Sequence, residues 1–494
     1  MTLIEMLIKN AETHPEKTAL VYRETRLSYR DLAARSFALA KQLTDLGLKK
    51  GDRVGLLLQK TPEVIVSFLG AAAAGGIAFP VDSNQTLQHL QYLLNLTAPG
   101  AIIAAGSFLP LLEGLDLPLS KNKIIVAGGE PADAYAHWRD SARGEQYLGP
   151  EIGIGMDDVA YLNLTSGTTG VPKCAVTTYD NIYWNTRAAV ENLELTPEDV
   201  HLCMFPVFSH PHELMARPLY LGGTMVLIDK ISPKHIVQEI NRRGVTCMMA
   251  IAAIYEALLR LKESASFELP SLRIPESGGM HVNPALAVQF QKEFNLSLIP
   301  VWGSTEATGI ALASPLNGYR PGSMGRVCSY YEAKILTENG DEAPLGEIGE
   351  MIIRGPAVCS RYYNSPEETQ KHMRDGWFHT GDMVKKDADG YFYFAGRKSG
   401  MMKVAGLKVY PIEIEDVLNT HPKVDQVAVV KAVDGLHGEV PRAVIIPRSG
   451  EALDKKEIRR FCEQRLSRYK VPRLIEFRKD FPRTSGGKIL WREL

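Results

Sequence analysis

The sequence predicts an α/β protein built as a large N-terminal domain of helix-covered sheets, a small β-rich subdomain and a compact α+β C-terminal domain. Three observations predict it. Strand-like and helix-like stretches alternate through the first three hundred residues, the rhythm of parallel sheets covered by helices on both faces. From Gly325 the texture changes to short strands and turns: Glu332 to Leu336, Gly349 to Arg354, Gly390 to Gly396. After Arg397-Lys-Ser-Gly-Met-Met-Lys403 it changes again, to a mixed α+β pattern. A chain of 494 residues also exceeds one ordinary hydrophobic core. The boundary is placed between 397 and 398, where Gly396 and Gly400 bracket a polar joint, giving domains 1–397 and 398–494.

Taken in order, Leu3 to Glu12 has helical periodicity, and Ala19 to Tyr22 and Leu27 to Tyr29 read as strands. Ser28-Tyr-Arg-Asp31 has the form of a capping box, opening a helix to Leu46. Arg53 to Leu58 is a strand after the Gly51-Asp52 turn, and Pro62 opens a helix. The apolar run Val64 to Pro80 is too short and too rich in Ala and Gly to span a membrane, so it reads as a buried helix entering a strand. Ala101 to Ala104, Ile124 to Ala127, Thr224 to Asp229 and Val245 to Ile251 continue the strands, with helices at Ser232 to Arg243 and Ile254 to Leu261. In the last domain Pro411 to Asn419 and Leu453 to Leu466 are helices; Val424 to Val433 and Ala443 to Ile446 are strands.

Composition excludes several classes. The net charge is -1, with 45% hydrophobic and 23% charged residues, so nothing draws the chain as a whole toward nucleic acid or an anionic membrane. Met1 to Asn10 has no signal-peptide pattern, and the 6 cysteines are scattered without C-x-x-C spacing. They read as reduced, buried thiols, and the expected location is the cytoplasm.

The chemistry gathers in five strings. In Tyr161-Leu-Asn-Leu-Thr-Ser-Gly-Thr-Thr-Gly-Val-Pro-Lys173 an apolar strand runs into small and hydroxylated residues and ends on a lysine. Glycines bring backbone N–H groups close to a ligand, Thr165, Ser166, Thr168 and Thr169 add short donors around Gly167, and Lys173 adds charge, a combination suited to a phosphate chain. It is not a Walker loop, because Val171-Pro172 separates Gly170 from Lys173. In Val301-Trp-Gly-Ser-Thr-Glu306 a strand from Leu296 to Val301 delivers a carboxylate at its carboxyl end, where ligands bind in open sheets; a helix capped by Thr305 is the structural alternative. Thr380-Gly381-Asp382 places an acid in a turn, Tyr391 to Arg397 ends on a cation, and Pro482-Arg-Thr-Ser-Gly-Gly-Lys488 carries a lysine on a mobile loop.

The order and spacing of these strings resemble the acyl-adenylate-forming enzymes: acyl-CoA and aryl-CoA synthetases, firefly luciferase, and the adenylation domains of peptide synthetases. Ser277-Gly-Gly-Met280, Lys403-Val-Ala-Gly406 and Val409-Tyr-Pro-Ile-Glu-Ile-Glu415 extend the likeness over essentially the whole chain. The resemblance implies an AMP-forming carboxylic acid–CoA ligase with ATP and CoA as substrates and Mg²⁺ as cofactor. It implies that Thr165 to Lys173 hold the β- and γ-phosphates, and that Glu306 binds Mg²⁺ beside Thr305 on the α-phosphate. Gly278, Gly279, Met280, Trp302, Gly303 and Ser304 would border the nucleotide, and Asp382 would hold the ribose with Arg397 nearby. Lys488 would act at the reacting carboxylate. The C-terminal domain would then turn as a mobile lid about Ser399, bringing in the face of Lys403, Ala405 and Gly406 for CoA.

Some positions depart from the family pattern. Ser399 replaces the usual charged hinge residue, and Ala405 stands where Lys or Gly is common. The aromatic–His pair of the acyl gate appears as Phe208-Ser-His210, with the histidine shifted by one. Phe208, His210 and Ile310 would border an apolar acyl pocket for an aryl, alicyclic or fatty acid, with His212-Glu213 as polar determinants or packing residues. Residues 451–494 carry 13 Lys and Arg against 7 Asp and Glu, a surface suited to CoA or to an acidic carrier protein. The lack of an appended carrier domain favours CoA. A non-catalytic nucleotide-binding relative is the alternative of a different class, and the oligomeric state is open.

Overall fold

The structure is a computed structural model that describes residues 1–82, 85–117, 119–128, 135–138, 153–165, 173–279, 282–404, 406–434, 438–483 and 489–494. Its contacts divide the chain into two units: Met1–Glu332 with Ile353–Phe378, and Ala333–Ile352 with His379–Leu494.

The first unit carries two large sheets. In the seven-stranded sheet the spatial order is Ala136–His137, Ile124–Ala127, Ala101–Ala105, Arg53–Leu57, Ile77–Pro80, Val159–Thr165, Lys173–Thr178. All neighbours are parallel except the last pair, which is antiparallel and places Thr165 opposite Lys173. The nine-stranded sheet runs Arg326–Val327, Gly309–Ala313, Ile299–Ser304, Ile274–Ser277, Cys247–Ala250, Val200–Cys203, Thr224–Leu227, Thr18–Tyr22, Thr25–Ser28. Its six middle strands are parallel, as the alternating pattern requires.

The helices bury apolar faces on these sheets. Leu3–Thr13, Tyr29–Asp45 and Pro62–Ala73 share one core with strands of both sheets, while Pro233–Arg243, Ala252–Ser264 and Pro284–Phe294 cover another. The capping box at Ser28 forms: its hydroxyl accepts the Asp31 N–H at 3.1 Å, and the Asp31 carboxylate accepts the Ser28 N–H at 3.0 Å. The Val64 to Pro80 run is the buried helix Pro62–Ala73 followed by the strand Ile77–Pro80. No helix among the described residues is long and apolar enough to cross a membrane. All six cysteines are buried and free.

In the second unit, Gly438–Pro447 pairs with Val424–Asp434, Met402–Val404 and Leu474–Phe477. The helices Pro411–Asn419 and Lys455–Glu463 pack on that sheet through Ile414, Leu418, Ile458 and Cys462. Trp377–Lys386 and Phe392–Arg397 form the antiparallel pair that sets Asp382 opposite Arg397.

Candidate active site

The lysine side of the candidate site begins where Val159–Thr165 ends and Lys173–Thr178 starts. Ser166, Gly167, Thr168 and Thr169, between them, lie outside the described residues, as do Met280, Ala405 and Lys488. Lys173 is buried, its side chain only 8% exposed. A buried ammonium needs a counter-charge and a polar or aromatic cradle. Both are present. Its Nζ donates to Glu368, in the first turn of the helix Pro366–His372, and lies 5.4 Å from the centre of the Tyr362 ring. The hydrogen bond from Lys173 holds the Glu368 carboxyl below the usual range.

Glu306 sits in the turn joining Ile299–Ser304 to Gly309–Ala313. The strand runs three residues beyond the expected end at Val301 and turns back on itself, so a helix capped by Thr305 does not form. The turn is closed by the Thr308 N–H on the Thr305 carbonyl and by the Ala307 N–H on Ser304 Oγ, both 3.1 Å. Gly303 is obligatory here: a Cβ would lie 2.3 Å from the Gly309 carbonyl oxygen. Glu306 is half-buried, and its Oε1 accepts the Tyr362 hydroxyl at 2.6 Å. Burial, then the charge of Glu306, push the Tyr362 phenol far above its ordinary range, so it stays a donor. Lys173, Tyr362, Glu368 and Glu306 thus form one connected group, of which sequence reasoning found only Lys173 and Glu306. A hydroxyl–acid string, Tyr362-Tyr-Asn-Ser-Pro-Glu-Glu368, was the visible signal.

Gly278 and Gly279 leave the strand Ile274–Ser277. A Cβ on Gly278 would come within 2.8 Å of Val301 Cγ2, and Gly279 takes a φ of +78°, so both need glycine. Trp302 is half-buried and Gly303 exposed. Phe208 lies within a turn in which the Ser209 N–H meets the Pro206 carbonyl at 3.0 Å, and His210 is half-buried with a left-handed backbone. Ile310 is buried and its carbonyl accepts Asn185 Nδ2 at 3.0 Å.

His212 and Glu213 prove to be interior groups. The Tyr161 hydroxyl and His212 Nδ1 are 2.7 Å apart, and burial, then Arg217, hold His212 neutral by lowering it to about 3. Arg217 lies 3.1 Å from Glu213 and 2.8 Å from Glu276, all three buried. No motif in the sequence pointed to Arg217 or Glu276.

In the second unit Arg397 Nε lies 2.8 Å from Asp382 Oδ1, and Asp382 is buried. The Thr380 hydroxyl accepts the Asp382 N–H at 3.0 Å and donates to the Met351 carbonyl at 2.6 Å, which fixes the turn. Ser399 is in the one-turn 3-10 segment Lys398–Gly400. Lys403 and Gly406 lie on the tight hairpin of Met402–Val404 and Leu407–Val409, where Gly406 has a φ of +82°. Arg483 and Ile489 form an isolated antiparallel bridge.

Among the described residues no group of three or more His, Cys, Asp or Glu gathers to hold a metal. Glu306 alone, with one oxygen oriented by Tyr362, suits Mg²⁺, which takes one or two carboxylates plus phosphate oxygens.

A lysine and a carboxylate linked through Tyr362, with glycine-built turns on the neighbouring strand of an open α/β sheet, are an arrangement suited to a nucleotide-handling enzyme. The chain belongs to the AMP-binding enzyme family: the family's model matches residues 7–363, and that of the AMP-binding enzyme C-terminal domain matches 413–488. It is 31% identical to a long-chain-fatty-acid–CoA ligase of Bacillus subtilis, over 100% of this chain and 94% of the relative. The structure of the anthranilate CoA ligase AuaEII with anthranoyl-AMP matches at a TM-score of 0.91 and 28% identity, covering 99% of this chain and 95% of that one. The O-succinylbenzoate coenzyme A synthetase of Bacillus subtilis, in complex with ATP and magnesium ion, matches at 0.87 and 26%, covering 99% and 98%. The expected fold and superfamily are therefore borne out.

Proposed function

We propose that the chain is an AMP-forming carboxylic acid–CoA ligase. ATP and a carboxylic acid give acyl-AMP and pyrophosphate, and a CoA thiol then gives acyl-CoA and AMP. The observation that carries the reading is the joined Lys173–Tyr362–Glu306 group, a cation and a carboxylate held together where a triphosphate needs both.

A carboxylate is a weak nucleophile and ATP repels it, so the step needs positioning and charge neutralisation more than a covalent protein nucleophile. Lys173 neutralises the leaving pyrophosphate as bonds break, with Thr165 and the following hydroxyls and N–H groups around the phosphates. Glu306 holds the cation that accompanies ATP; bound there, Mg²⁺ supplies charge stabilisation of the phosphate oxygens. Thr305 contacts the α-phosphate. Gly278 and Gly279 border a flat base through their backbone, with Trp302 and Gly303 beside it. The Asp382 carboxylate, aligned by Arg397, accepts the ribose hydroxyls. Lys488 brings the second cation to the reacting carboxylate. In the thioester step Lys403 and Gly406 face CoA, after the segment beyond residue 398 has turned about Ser399.

The acid is fatty, aryl or alicyclic, bordered by Phe208, His210 and Ile310; a carrier-protein phosphopantetheine is the alternative thiol. The test is pyrophosphate release over a panel of such acids, followed by thiol consumption with CoA. Acid-dependent release with CoA-dependent turnover is expected. A panel that yields no acid-dependent pyrophosphate would sink the reading. Release without CoA turnover, restored by a phosphopantetheinylated carrier, would move it to the alternative acceptor.

A further inference from the structure

We propose that Tyr362 is a positioning residue that fixes Lys173 and Glu306 relative to each other, so that the ammonium of Lys173 and a cation held by Glu306 would meet the β- and γ-phosphates as one unit. The inference rests on reading this site as the triphosphate site.

The two charged groups come from distant places. Lys173 begins one strand of the seven-stranded sheet, and Glu306 lies on a hairpin turn of the nine-stranded sheet. The two residues lie on different sheets. The segment Cys359 to Tyr363 links them, because it is stitched to both. On one side the Val176 N–H donates to the Arg361 carbonyl at 3.1 Å, and the Tyr363 N–H donates to the Cys174 carbonyl at 2.7 Å. Tyr362 and Ala175 form an isolated antiparallel bridge there. On the other side the Cys359 N–H donates to the Glu306 carbonyl at 2.8 Å.

Tyr362 carries the same link through its side chain. Its hydroxyl is on Glu306 Oε1, and its ring faces the Lys173 ammonium. The ring itself cannot swing. It is 3% exposed, and the residue's backbone N–H is held by Thr369 Oγ1 at 3.0 Å. Thr369 follows Glu368, the partner of Lys173, on the same helix. One aromatic side chain therefore sets one oxygen of the acid and one face of the cation. AMP lacks the β- and γ-phosphates and so makes no use of that spacing.

The test is calorimetric binding of ATP and of AMP, with Mg²⁺ and without any acid, to the full chain and to Tyr362→Phe. Phenylalanine keeps the ring and removes only the hydroxyl. The expected result is a fall in the ratio of ATP to AMP affinity of about tenfold or more, the size of one hydrogen bond to a charged acceptor. A ratio that stays within twofold of wild type, whether both affinities fall together or neither does, overturns the inference. A double-mutant cycle supplies a second reading. In a Glu306→Ala background, Tyr362→Phe should change the ratio by less than twofold; an undiminished loss there means that Tyr362 acts through some other group and also overturns it. Failure of the wild-type chain to bind ATP more tightly than AMP is a different result: it removes the triphosphate site itself, and the inference with it.

Discussion

Arg217 shows what single residues do in this interior. One guanidinium meets two carboxylates, Glu276 at 2.8 Å and Glu213 at 3.1 Å, with the three side chains 5%, 2% and 4% exposed. The cluster ties the helix Ala216–Leu221 to the strand that leads into Gly278-Gly279. Glu213 also presses on the hairpin: a Cβ on Gly309 would lie 2.6 Å from its Oε1. Arg217→Met would leave two carboxylates buried without a cation, at a cost of roughly 3–5 kcal/mol. Urea denaturation measures it, and Arg217→Met combined with Glu276→Leu should recover part of the loss. A single variant within about 1 kcal/mol of wild type would show that the cluster is not holding these elements together. Such partnerships were not legible in the sequence. Lys173 and Glu368 are 195 residues apart, and Tyr362 and Glu306 are 56 apart. Hydroxyls, glycines and a lysine announced a phosphate site through their local chemistry, but the groups that orient them come from elsewhere in the chain.

Elements whose signal is local were read best. The capping box at Ser28 and the buried run after Pro62 stand as expected, because caps and apolar periodicity depend on near neighbours. Thr305-Glu306 was ambiguous between a site and a helix start, and the structure makes it a hairpin turn. The deciding contact is the close approach of Gly303 and Gly309, which only glycines permit. A buried acid within an element supplies a further test. Glu415, on the helix Pro411–Asn419, accepts the Val429 N–H of the adjoining strand at 2.7 Å. Burial raises its carboxyl from 4.5 to about 8, opposed by that hydrogen bond. The folded chain therefore keeps a proton that the unfolded chain has lost between these two values. Its contribution is full below 4.5 and declines as pH rises toward 8, by up to about 1.4 kcal/mol per pH unit. Glu415→Gln keeps an oxygen for Val429 without the titration. Urea midpoints from pH 5 to 8.5 should fall less steeply for the variant than for wild type; parallel curves would mean that Glu415 titrates normally.

At the scale of the whole molecule, packing and chemistry divide the chain at different places. By packing, Ala333–Ile352 and His379–Leu494 belong to one unit. The sequence instead marks a joint after Arg397, where a strand gives way to Lys398–Gly400. A change of texture along a chain records where local patterns alter, whereas a packing unit gathers segments that are far apart in sequence. The proposed reaction needs the joint, because Lys488 serves the first half-reaction and the Lys403–Gly406 hairpin the second, and both lie beyond residue 398. Two glycines flank the proposed pivot. Gly396 has a φ of +138°, and a Cβ on Gly400 would meet nothing closer than 4.0 Å. Ser399→Pro removes that freedom: the ring fixes φ at residue 399 and drives Lys398 toward extended backbone. Lys398 is in the 3-10 turn and donates to Glu350 at 2.8 Å, so the change acts on the joint itself. Both half-reactions can be followed separately, by pyrophosphate release and by thioester formation from supplied acyl-AMP. Ser399→Pro should slow the second at least about tenfold more than the first, equivalent to about 1.4 kcal/mol of added barrier. Lys488→Ala should invert that ratio, since in the proposed reaction its charge serves adenylation alone. If both variants slow the two half-reactions equally, the joint at residue 398 does not separate the steps, and the two conformations it was invoked to supply are not needed.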